Sequence, residues 1–95
     1  MFIIFLKFSE NKSQASEHMA AHNKWVTDNI SSGNFLVAGT LQPKQGGCIV
    51  ANIHSKDEVE DIISRDPFVE HNIVCPEVFE VSPSMADERL SFLLS

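Results

Sequence analysis

Hydrophobic positions along this chain switch between two periods. In residues 1–8, MFIIFLKF, Phe2, Ile4, Leu6 and Phe8 alternate onto one face at the two-residue period of a strand, while Ile3 and Phe5 fall on the other with Lys7 at its end. Both faces are apolar, so both need cover. From about Ser13 to Ser31 the period lengthens. Ala15, Met19, His22, Val26 and Ile30 recur at helical spacing as the expected buried stripe, and Gly33 follows as the stop. Residues 34–41, NFLVAGTL, and 48–54, CIVANIH, read as a hairpin whose turn, QPKQGG, is rich in turn formers. Ser55 and Glu58 form an S-x-x-E capping box that opens a second helix with Val59, Ile62 and Ile63 on its apolar face. Pro67 disfavours helical backbone at Asp66, so that helix is expected to end there. Residues 73–81, IVCPEVFEV, form the last strand. A tail starting at Ser84, with Asp87 as a further capping residue, carries Met85, Leu90, Phe92, Leu93 and Leu94, enough for a short C-terminal helix.

The order βαββαβ defines an α+β, ferredoxin-like domain over residues 1–82, with a C-terminal extension over 83–95. Two right-handed crossovers give the antiparallel sheet order 4-1-3-2. Pro76 lacks a ladder donor and falls on strand four, an edge in that order. Two helices cover one sheet face. A second subunit packing sheet against sheet is the economical cover for the other, and the C-terminal segment folded back is the alternative. Cys48 and Cys75 fall on strands separated by the first, roughly 9.5 Å apart, beyond the roughly 7 Å that a disulfide spans, so two free thiols are expected.

Composition narrows the function classes. Thirteen acidic residues against seven basic ones give a net charge of −6, and no basic run exists, which argues against nucleic acid. The longest apolar run, Met1 to Leu6, is too short to span a bilayer and lacks the basic start of a signal peptide, so a cytoplasmic protein without a membrane partner is expected. No Gly-rich phosphate loop or nucleophile elbow is present, and no cofactor is expected.

Two histidines stand out. His18 and His22 share the i, i+4 spacing of HExxH, but HMAAH has no glutamate and no third ligand is signalled, so no metal is expected. His22 falls inside the apolar stripe. It is either a neutral core histidine with one satisfied hydrogen bond or a proton carrier facing a pocket between helix and sheet. Asp66, placed at the end of the second helix, would face the negative end of that helix dipole, at a cost of about 0.3–1 kcal/mol. Either Asp-Pro is simply a turn former there, with Arg65 offsetting the charge, or a cationic partner such as His22 makes sense of the position.

His22, Gly33, FLVAGTL, a strand ending near Ser55, and DPF at Asp66–Phe68 together resemble the YciI-like (YCII-related) family over roughly residues 1–82. The resemblance implies a ferredoxin-like chain that pairs into a dimeric α+β barrel, with a helix histidine and the aspartate of a D-P-[FY] motif forming the site. Carried onto this sequence, that pair is His22 and Asp66. Pro67 and Phe68 complete the motif, and Gly39 matches the glycine closing the second strand, so Gly39 and Phe68 are candidate substrate-binding residues. Met19 stands where many members carry arginine, and Asn23 where leucine is usual.

These readings converge on a small homodimeric enzyme without metal or nucleotide cofactor. Its His22–Asp66 pair would perform general acid/base chemistry (elimination, isomerisation or tautomerisation, a lyase- or isomerase-like activity) on a small organic molecule. The alternative is a non-catalytic ligand-binding or accessory protein of the same fold, in which the pair is structural.

Overall fold

Strand β1 (Phe2–Phe8) sorts the molecule into two sides. In the computed structural model, which describes residues 1–94, Phe2, Ile4 and Leu6 are buried beneath the helices, while Ile3 and Phe5 on the opposite face are only half-covered. Ser95, the last residue of the expected extension, lies outside the described residues. After a short 3-10 turn at Lys12–Gln14 come α1 (Ala15–Ser31), β2 (Phe35–Leu41), β3 (Gly46–Ala51), α2 (Lys56–Ser64), a one-turn α3 (Pro67–Glu70) and β4 (Val74–Glu80). The sheet order is β2-β3-β1-β4, all neighbours antiparallel, which is the expected 4-1-3-2 order read from the other edge. The fold is therefore α+β with a βαββαβ core. Pro76 sits on the edge strand β4, opposite Leu6.

Helices α1 and α2 cover one sheet face. Between them and the strands lie Phe35, Ile49, Ala51, Ile53, Val59, Ile63 and Ile73, all buried. Ser55 caps α2 as expected: the Glu58 amide donates to Ser55 Oγ at 3.3 Å. Gly33 takes the left-handed conformation (φ 87°) that ends α1, its amide donating to the Ile30 carbonyl. The other face presents Ile3, Phe5, Val50 and Phe79 in cross-strand register, with Val37 on β2 opposite Val50. Val37 and Phe79 are 60% and 50% exposed, so this apolar face is open in the single chain. Both thiols are free; Cys48 lies opposite Phe5 and Cys75 opposite Lys7.

Four expectations need correction. Strand β3 begins at Gly46 rather than at residue 48, because β1 approaches so closely that a Cβ at position 46 would lie 2.0 Å from the Leu6 carbonyl oxygen. Only glycine admits that ladder, and the apparent turn residues Gly46 and Gly47 become strand. The buried residue of α1 is Trp25, whereas Met19 and Ile30 of the expected stripe are about two-fifths exposed (42% and 41%). Helix α2 stops at Ser64, and Asp66 belongs to the next element, not to the end of α2. The C-terminal segment forms 3-10 turns over Glu88–Leu94 kinked at Leu90, not a regular α-helix, and leaves Leu90, Phe92 and Leu94 a little under half exposed. Among the described residues no helix is long and apolar enough to cross a membrane.

Candidate active site

Asp66 is the N-cap of α3. Its backbone is extended, Pro67 occupies the first helical turn, and its Oδ1 accepts from the Phe68 amide at 3.0 Å. This is the favoured capping arrangement for a carboxylate, and it offsets the expected penalty from the end of α2, whose C-cap Arg65 directly precedes Asp66. The argument that singled the residue out saw only one of these two roles. Pro67 has the complementary role: it begins a helix where it was expected only to end one.

The same oxygen meets α1. His22 Nδ1 lies 2.7 Å from Asp66 Oδ1, across 44 positions of sequence. The Asp66 side chain is fully buried and that of His22 is 15% exposed. An ionised carboxylate can only accept, so as a carboxylate Asp66 calls for a proton on Nδ1, and His22 itself borders the cavity. Phe68, itself buried, stacks on the imidazole with centroids 4.0 Å apart and planes 5° from parallel, so the ring is held from the side as well as from its edge. Asp66 Oδ2 is buried and has no hydrogen-bond partner among the described residues. The carboxylate's compensation therefore concentrates on one oxygen, and a buried, unmatched acceptor typically costs about 1–3 kcal/mol.

One turn further along α1, Trp25 closes the neighbouring space. Its indole N–H donates to the Ile62 carbonyl at the end of α2 (3.0 Å), and its ring meets Phe35 edge-on. Nothing in the hydrophobic period marked Trp25. The available signal was its being the chain's single tryptophan, three positions from His22.

On the other side of His22 the helix lifts away from the sheet over a cavity of about 550 Å³. Its walls are mostly apolar: Leu6, Phe8, Met19, Val26, Phe68 and Val74. Its floor is made of small residues of β2 and β3, among them Ala38, Gly39 and Gly47. The two sequence-proposed binding residues, Gly39 and Phe68, both border it, as does His22, whereas Asp66 stands behind the imidazole. Two bordering lysines, Lys12 and Lys44, had no place in the sequence reading. His18 faces elsewhere: it stacks on His71 at 4.0 Å. Among the described residues no three His, Cys, Asp or Glu side chains come together as a metal site.

A helix histidine held by a buried carboxylate at the edge of an apolar cavity defines a class of small α+β proteins with a buried His–Asp pair. The chain belongs to the YCII-related domain family, whose model matches residues 1–83. No curated protein matches it in sequence. Among solved structures it is similar to 5-chloro-2-hydroxyhydroquinone dehydrochlorinase (TftG) from Burkholderia phenoliruptrix AC1100, in complex with 2,5-dihydroxybenzoquinone. The two share 17% identity at a TM-score of 0.67, over 85% of this chain and 93% of that one. At that identity the likeness speaks for the fold.

Proposed function

We propose that this protein is a small enzyme in which His22 transfers protons and Asp66 orients it. The observation that carries this reading is the 2.7 Å contact from Nδ1 to a fully buried carboxylate, made by a histidine that lines a cavity large enough for a small ring compound. Nε2 takes a proton from an activated carbon of the substrate, and the C–H electron pair moves into the adjacent carbonyl or ring system. The imidazolium, steadied by Asp66, returns the proton to another carbon in a tautomerisation or isomerisation, or to the departing group in an elimination. The structural neighbour in complex with a dihydroxybenzoquinone lends weight to a cyclic, oxygenated substrate.

The site lies within residues 1–82, and 83–95 are an appended extension. Two chains pack through their open sheet faces, where Ile3, Phe5, Val37 and Phe79 would be covered. A stable pair of this kind buries at least about 1,200 Å² in total. Sedimentation at micromolar concentration is expected to show the dimer, and a monomer throughout would remove this part of the reading.

Proton transfer can be tested without knowing the product. Small phenols, quinols and cyclic ketones are incubated with the protein in D₂O, and loss of C–H signals is followed by NMR. The wild type is expected to accelerate exchange for some of them. His22→Gln should lower that rate by about 10²–10⁴-fold, the usual worth of a general base. Asp66→Asn should lower it less. Equal exchange by wild type and His22→Gln across the panel would sink the catalytic reading.

A further inference from the structure

Charge is distributed unevenly around the cavity. The chain holds seven basic side chains. Five of them are neutralised by acids: Lys7 by Glu77, Lys24 by Asp28, Lys56 by Glu60, Arg65 by Asp61 and Arg89 by Asp87. Among the described residues only Lys12 and Lys44 stand outside an ion pair, and both border the His22 cavity. Neither Asp nor Glu lines that cavity, although the chain carries thirteen of them. In a protein of net charge −6, two unneutralised cations have thus been left at the mouth of one apolar pocket.

Both lysines are carried by anchored backbone. Lys12 lies in the turn after β1 with its ammonium 4.8 Å from the centre of the Phe8 ring, itself a wall of the cavity. Lys44 lies in the β2–β3 turn, which is closed by the Gln45 amide on the Leu41 carbonyl (2.8 Å) and tied to β1 by the Phe8 amide on the Gln45 carbonyl (3.0 Å). The β2–β3 turn and the 3-10 turn before α1 therefore both adjoin the end of β1, and their lysines border the same cavity.

We infer that the cavity takes aromatic anions: a flat ring held by the apolar walls, with a carboxylate or phenolate oxygen at the mouth between Lys12 and Lys44. This rests on the reading of the cavity as the substrate site, and it deepens that reading by fixing substrate class and orientation. With its anionic oxygen at the lysines, the ring reaches inward toward Nε2 of His22.

Binding measures this without turnover. Benzoate, 4-nitrophenolate and neutral benzamide are titrated into the full-length protein, followed by calorimetry and by the amide resonances of Gly39 and Gly47. At least one of the two anions is expected to bind at the cavity about fivefold or more tighter than benzamide, with the preference shrinking as salt approaches about 1 M. The pair K12Q/K44Q should erase the preference, K12R/K44R should retain it, and both should keep the wild-type unfolding midpoint because neither side chain is buried. Equal binding of anions and benzamide, an anion preference that survives K12Q/K44Q, or no shift of the glycine resonances would each overturn the inference. His22→Gln should keep the anion preference, so that loss of anion selectivity and loss of proton transfer fail separately.

Discussion

Trp25 and His22 lie one turn apart on α1 and do opposite things to the space beneath it. Trp25 fills the gap between α1, α2 and β2, satisfies its only polar atom on the Ile62 carbonyl, and is 9% exposed. His22 fills only the rim of its gap, spends one nitrogen on Asp66, and faces a cavity floored by Ala38, Gly39 and Gly47. The same helix thus builds a closed core at one end and an open site at the other. The difference lies in side-chain volume on both partners: tryptophan against phenylalanine in one place, histidine against alanine and glycine in the other. A small residue on a sheet's helix-facing side, beneath a polar residue in an apolar stripe, is therefore a signal of a site rather than of a weak core.

Substitutions should separate the two ends, and the largest effect belongs to the closed one. Trp25→Ala removes a buried indole and its hydrogen bond, and should cost about 3–5 kcal/mol in denaturant unfolding. A loss below about 1 kcal/mol would mean that the two ends are equally loose. Asp66→Ala comes next. It removes the α3 cap, worth about 0.5–2 kcal/mol, and strands the His22 donor, so a total of roughly 2–4 kcal/mol is expected. In a double-mutant cycle with His22→Ala the coupling should reach at least about 1 kcal/mol, and additivity would show the contact to be energetically idle.

At the open end stability should barely respond while binding does. A Cβ at Gly47 would meet only the Gly39 carbonyl oxygen at 3.6 Å and Leu6 Cβ at 3.9 Å, both ordinary contacts. Gly47→Val should therefore unfold within about 1 kcal/mol of wild type. Its methyl groups, on the helix-facing side of β3, occupy the cavity floor, and titration should show benzoate binding abolished. The smallest effect is expected for Met19→Leu at the half-exposed rim, a volume-conserving change within about 0.5 kcal/mol by thermal unfolding.

These contrasts also mark what the sequence discloses. Element order and sheet topology were legible because alternation in β1 and the S-x-x-E box are local signals, and Pro76 on an edge strand agreed with them independently. The His22–Asp66 pair was legible only as two oddities, and its geometry depends on α3, a single turn too short to show any period. The start of strand β3 was misjudged because Gly46, a residue type that usually makes turns, is required there instead by the approach of β1, and Gly47 continues the same ladder. Lys12 and Lys44 could not be separated from the other basic residues before pairing was known. Neither has an acid three or four positions away, but Lys7 finds its partner 70 positions distant, so local spacing decides little.

Asp66 Oδ1 receives two donors: the amide that starts α3 and the imidazole that faces the cavity. One atom thereby answers to two selective pressures. A lineage that lost all use for the cavity would still be penalised for losing this aspartate, because the turn before β4 would lose its cap. His22 serves the fold only through that same atom: an apolar residue in its place would leave the buried carboxylate without its imidazole partner, but the cap would stay. Among descendants of this chain, the aspartate should therefore outlast the histidine.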